Sequence, residues 1–207
     1  MTLQPFTNEH LNYFKFVSVV STEFPKILRQ AFKTRWDNTF GHLPGFLSWD
    51  DSVAVRNLFL ATEGGSTKVP IHLSYDAWDC TALFQATIFA NSFSMPDGRG
   101  HDRKLSYLFV RLRRLLPGGL HTSVISSTGN DAESFALAID QLRLLRNAVS
   151  HSPSSEIPKA TFNMYIQLTK DAFQALGVSS SSVNTIGSLT EADFPIEKVR
   201  KLEDEIR

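Results

Sequence analysis

Arg146, Asn147 and His151 are the residues in this sequence whose types and spacing best suit a chemical step. Histidine has an unperturbed pKa suited to proton transfer near neutrality. Arginine presents a rigid fork of donors to phosphate oxygens and stabilises charge developing at phosphorus. Asn147 can orient either partner or hold a ribose hydroxyl. On a helix the arginine and histidine stand about 7 Å apart along the axis, and they face one cleft if the last turn tightens. A structural reading of the same pair stays open. A protonated histidine in a last helical turn stabilises the helix by up to ~1 kcal/mol.

Other catalytic signatures are absent from the sequence. It has no Walker-type glycine loop, GxSxG elbow, HExxH pair or kinase signature. Gly98-Arg99-Gly100 and Gly118-Gly119 continue into no phosphate-cradling motif and read as turns. The six histidines include no pair at i, i+3 or i, i+4, so no helical metal site is expected, and with no nucleotide or other cofactor motif in the sequence no cofactor is expected either. His10, His42 and His72 read as structural or surface residues. Cys80 is the single cysteine, which excludes a disulfide framework and a cysteine zinc site and points to a reducing, cytoplasmic setting. Met1 to Glu9 lack a signal-peptide pattern, and no apolar run approaches the ~18 residues of a membrane span.

Lysine plus arginine equal aspartate plus glutamate, 21 against 21. That balance argues against a strongly basic nucleic-acid binder and leaves room for a local patch. The most basic helix supplies one: Lys104, Arg111, Arg113 and Arg114 form a candidate phosphate track for RNA.

The elements that must position these residues follow from apolar spacing. Asn8 is expected to cap a first helix to about Arg35, with Leu11, Phe14, Val17, Val20, Phe24, Leu28 and Phe32 on one stripe and Pro25 kinking it. Residues 36–50 read as an ordered loop. A short helix runs from Asp50 or Asp51 to about Thr62, and a helix of roughly 15 residues opens at Ser74 or Asp76. Residues 94–104 read as an exposed loop, and 105–116 as helix up to Pro117-Gly118-Gly119. The cleanest amphipathic helix follows Thr128-Gly129-Asn130-Asp131 and ends near Ser150, carrying Phe135, Ala138, Leu142, Leu145 and Val149. Arg146 lies at the rim of that stripe, and His151 where the helix ends.

A last core helix carries Phe162, Tyr165, Ile166, Thr169, Phe173 and Leu176. Pro158 stands in its first turn and Gly177 closes it. Residues 178–189 read as a Ser-rich linker, and 190–207 as an amphipathic helix that leads towards a further region. No convincing strand pair or internal repeat is evident. The fold class is all-α, a helical bundle, with the 16 phenylalanines suggesting aromatic core packing.

Residues 131–177 resemble the C-terminal half of a HEPN domain: a hydrophobic helix ending in Arg-polar-x-x-x-His, a short loop, then an aromatic-rich helix. The leucines before Arg146-Asn147, then His151-Ser152-Pro153 and Phe173 to Gly177, are similar to one group in particular. That group includes the HEPN domain of the DAZ-interacting zinc-finger ubiquitin ligase and its invertebrate relatives with NACHT or TPR modules. Trp36 and residues 76–84 match its looser N-terminal part, so the resemblance spans residues 7–177.

The resemblance implies a HEPN-type bundle over residues 1–177 that forms a homodimer, with Arg146 and His151 of both copies lining a shared cleft. It also implies metal-independent RNA cleavage or RNA binding. In that chemistry His151 handles the proton of the ribose 2′-hydroxyl or of the leaving group. Arg146 stabilises the transition-state phosphate, and Asn147 is the polar partner. The alternative implied by the same group is a non-catalytic homotypic oligomerisation or signalling module of a larger, innate-immunity-like protein with further domains.

Overall fold

Thr7 starts the first helix. Its hydroxyl accepts the His10 N–H at 3.3 Å while the His10 ring accepts the Thr7 N–H at 3.3 Å, a reciprocal cap that satisfies two otherwise orphaned donors. The cap is therefore Thr7, one residue before the expected Asn8. The structure, a computed structural model, describes residues 7–111 and 119–190 together with Asp193.

Helix α1 (Asn8–Ser18) runs through a π-helical turn (Val19–Glu23) into α2 (Phe24–Phe40). The widened turn stands directly before Pro25, which lacks an N–H and crowds the carbonyl four residues back. The hydroxyls of Thr22 and Ser21 both donate to the Ser18 carbonyl, at 2.7 and 3.3 Å, within the altered turn. The proline thus loosens the helix as its sequence position predicts, and the helix then continues five residues past the expected end.

Phe32 of α2 is fully buried at the centre of an aromatic core. Rings of Trp36, Trp49, Phe59, Tyr75, Trp78 and Phe93 lie with centroids 4.6–6.3 Å from it, most of them edge-on. Each such pair adds about 0.5–1.5 kcal/mol beyond area burial. Trp49 comes from the ordered loop after α2, pinned where Asp37 accepts its backbone N–H at 2.6 Å. Phe59 comes from α3 (Val53–Thr62), whose cap is Ser52 accepting from Val55 N–H at 3.2 Å.

The helix expected from Ser74 or Asp76 is broken in two. Tyr75–Ala77 form a single 3₁₀ turn, Trp78 is extended, and Asp79 caps α4 (Cys80–Ala86) by accepting from Ala82 N–H at 2.7 Å. Tertiary anchors override helix propensity here. Both carboxylate oxygens of Asp51 accept the Tyr75 N–H at 2.9 Å, and Arg29 donates to the carbonyls of Tyr75, Asp76 and Trp78. Asp51 itself, expected to start α3, sits before it with φ +62°.

A two-stranded hairpin, β1 (Met95–Pro96) and β2 (Asp102–Arg103), occupies the expected loop and is the exception to the expected absence of strands. Within the expected helix 105–116, Ser106–Val110 form a π-helical segment. The remainder of that helix from residue 112 lies outside the described residues, as does the expected helix over 190–207 apart from Thr190 and Asp193.

Helix α5 (Asp131–Ser150) is capped by Asn130, which accepts from Glu133 N–H at 3.1 Å, and its acidic first turn complements the helix dipole. It packs against α4, the π-helical segment and α6 (Lys159–Ala175). Gly177 adopts φ +70° just past α6, the left-handed closure expected of it. The expected Ser-rich linker is instead largely a helix, α7 (Ser181–Ser188), packed on α1 and α6 with Val183 fully buried. Lys15 donates to the Gly187 carbonyl at 3.3 Å and ties α7 to α1. The architecture is an all-α bundle, and among the described residues no helix is long and apolar enough to cross a membrane.

Candidate functional site

Buried residues recur along α5 from Ala132 to Val149 and turn its opposite side outward. Arg146 is half-buried on the edge of this stripe, the rim position expected of it. It lines a groove of about 500 Å³ walled by Tyr13 and Val17 from α1, Val20 from the π-helical turn, and Trp78, Asp79 and Cys80 from the α4 entrance. Arg29 and Asp76 also face this groove.

The charged groups there are unequally available. Arg29 is spent on three carbonyls at 2.6–3.3 Å, and one oxygen of the Asp79 carboxylate caps α4. The Arg146 side chain has no hydrogen bond or ion pair with another described residue. Its guanidinium is thus the cation of the groove left free for an anionic ligand. Burial pushes the Cys80 thiol up to about 11, against weaker downward pulls from Arg146 and Arg29. A thiol so poised stays protonated at neutral pH and is no nucleophile.

His151 forms the C-terminal cap of α5, with φ −110° and ψ 12°, and is exposed. Its backbone N–H donates to the Asn147 carbonyl at 3.0 Å. The last turn stays helical up to Ser150, so five residues separate Arg146 and His151 by ~140° around the axis. His151 is not among the residues lining Arg146's groove, and neither is Asn147, whose side chain is half-buried. One chain therefore places Arg146 in a cleft with His151 outside it, at the same end of α5.

The expected basic track is partly assembled. Lys104 and Arg111 line a second groove, of about 510 Å³, together with Arg103, Tyr107 and Arg143. Arg113 and Arg114 lie outside the described residues. Arg103, Tyr107 and Arg143 were not singled out by sequence. Arg103 falls in the stretch 94–104 read as an exposed loop, and Arg143 belongs to α5.

Behind Arg143 lies a buried network that the sequence conceals. Asp140 is 1% exposed, and its two oxygens accept from Arg143 Nε at 2.7 Å and meet His121 Nε2 at 2.8 Å. The His121 backbone N–H donates to Gln141 Oε1 at 2.8 Å. Both contacts fasten the segment before α5 onto the helix. Among the described residues no three His, Cys, Asp or Glu side chains are grouped to hold a metal ion.

Comparison with protein-family models, curated proteins and solved structures finds no match for this chain.

Proposed function

We propose that the chain is a HEPN-type domain that binds RNA and cleaves it without a metal ion, through Arg146, Asn147 and His151. The observation that carries this reading is the unpaired Arg146 guanidinium in an open groove, at the helix end that exposes His151. The ribose 2′-oxygen attacks the adjacent phosphorus and the bond to the 5′-oxygen breaks, leaving a cyclic phosphate and a 5′-hydroxyl. His151 accepts the 2′ proton or returns one to the departing oxygen. Arg146 neutralises the charge that builds on the phosphoryl oxygens, and Asn147 positions the strand. His151 lies outside Arg146's groove within one chain, so the centre is completed by a second copy. The working form is a homodimer, and the domain serves in the cytoplasm as part of a larger protein.

The test is cleavage of single-stranded RNA in chelator. Both His151→Ala and Arg146→Ala abolish it while the melting temperature holds, and full activity in either variant overturns the proposal.

A second reading is a non-catalytic homotypic assembly module in an innate-immunity-like protein. Net neutrality and the carboxylates of Asp76 and Asp79 beside Arg146 favour it, because both disfavour a polyanion. It predicts self-association that is indifferent to His151→Ala, together with no RNA cleavage. A strictly monomeric chain contradicts both readings.

A further inference from the structure

The second groove has a chemistry of its own. Four cations, Arg103, Lys104, Arg111 and Arg143, line it against one carboxylate, Asp102. The guanidinium carbons of Arg103 and Arg111 lie 5.2 and 5.6 Å from the centre of the Tyr107 ring. A cation–π contact of this kind engages no oxygen acceptor, so the ring helps hold two guanidinium groups without an ion pair neutralising them. Arg103 Nε donates to Asp97 at 3.3 Å, which fixes the stem and spares the terminal nitrogens. Arg143 is fixed in the same manner by Nε on the buried Asp140. Three arginines are thus pre-positioned, each with donors to spare, in a space the size of a small-molecule site.

The rest of the lining suits a base better than a bare ion. Phe89 and Val110 are half-buried and give an apolar surface. Asn91 lines the groove, and its backbone is fixed by donating to Glu63 at 3.0 Å. A carboxamide in such a place matches the paired donor and acceptor on the edge of adenine. A terminal polyphosphate also concentrates more negative charge into this volume than one phosphodiester of a passing strand, which fits four convergent cations.

We infer that this groove binds a 5′-polyphosphorylated nucleotide, its phosphates on Arg103, Arg111, Arg143 and Lys104 and its base against Phe89, Val110 and Asn91. The ligand is either a free nucleoside polyphosphate or the 5′-terminal nucleotide of an RNA, since the two share this chemistry. Lys104 and Arg111 then belong to a polyphosphate site, separate from the groove of Arg146, and binding here does not depend on cleavage there.

Calorimetric titration of the full chain in metal-free buffer decides it, with ATP, adenosine, and one short RNA bearing either a 5′-triphosphate or a 5′-hydroxyl. ATP binds more tightly than adenosine by about tenfold or more, and Arg103→Gln/Arg111→Gln removes that advantage while the melting temperature holds. His151→Ala binds ATP as the wild type does, which separates this site from the cleavage reading. Preference for the triphosphorylated over the hydroxyl RNA assigns the site to RNA ends. Equal binding of the two RNAs, with ATP retained, assigns it to free nucleotide. ATP no tighter than adenosine, or unaffected by the double substitution, overturns the inference.

Discussion

Arg143 and Arg146 stand one turn apart on α5 yet line different grooves, Arg143 the one built on Tyr107 and Arg146 the one beside Cys80. The three-residue step advances only ~4.5 Å along the axis but rotates the side chain by ~60°. Their tethers differ as well. Arg143 is fastened to a buried carboxylate, while Arg146 has no such partner among the described residues. One helix thus offers a fixed cation on one side and a free cation on the other.

Asp140 is the hinge of the first arrangement. Asp140→Ala leaves His121, itself 2% exposed, and Arg143 without their shared acceptor. Breaking a buried charged pair by removing one member costs about 3–5 kcal/mol. The melting temperature is expected to fall by roughly 6–20 °C on that basis. An unchanged thermal melt shows that the network contributes nothing.

Cys80 gives a pH signature. Folding raises its thiol from the ordinary 9.0 to about 11, because burial penalises the thiolate. The raised value means its contribution to stability is intact below pH 9 and is lost as pH rises from 9 through about 11. Iodoacetamide labelling of the native chain stays slow at neutral pH and accelerates in denaturant. Rapid native labelling at neutral pH contradicts the burial assigned to this thiol.

Legibility in the sequence tracked how local the forces are. Helices α5 and α6 were readable because a periodic apolar stripe, the Asn130 cap and the Gly177 closure all act within a few residues. Pro25 likewise acts through its own turn. The break at Trp78 was not readable, because Asp51 and Arg29 impose it from 24 to 49 residues away. His121 and Asp140 are 19 residues apart and meet only in the folded bundle. At the candidate site the rim position of Arg146 followed from periodicity, whereas its groove is walled by α1 and the α4 entrance. Tyr107 contacts Arg111 at the i, i+4 spacing of the expected helix, whereas its contact with Arg103 depends on the hairpin strand β2, which the sequence does not announce. Helix α7 escaped notice because serines dominate it and its apolar anchors, Val183 and Ile186, are sparse.

Helix α7 is therefore a sensitive test of how far the folded unit extends. Val183 is fully buried, and Val183→Ala is expected to cost about 1–2 kcal/mol through lost burial and a residual cavity. Val183→Asp costs more, because it buries an unpaired carboxylate. Chemical denaturation reads both. Wild-type stability in the aspartate variant means that α7 is undocked in solution.

The most direct measurement is RNA cleavage in chelator by Arg146→Ala and His151→Ala, assayed singly and as an equimolar mixture that has been allowed to exchange subunits. Each variant alone is inactive. In a mixed dimer one of the two shared centres regains both its arginine and its histidine, so the mixture recovers about a quarter of wild-type activity by random pairing. Wild-type protein that leaves RNA intact, or single variants that cleave as well as wild type, contradicts the assignment of Arg146 and His151. A mixture that stays silent contradicts the shared centre.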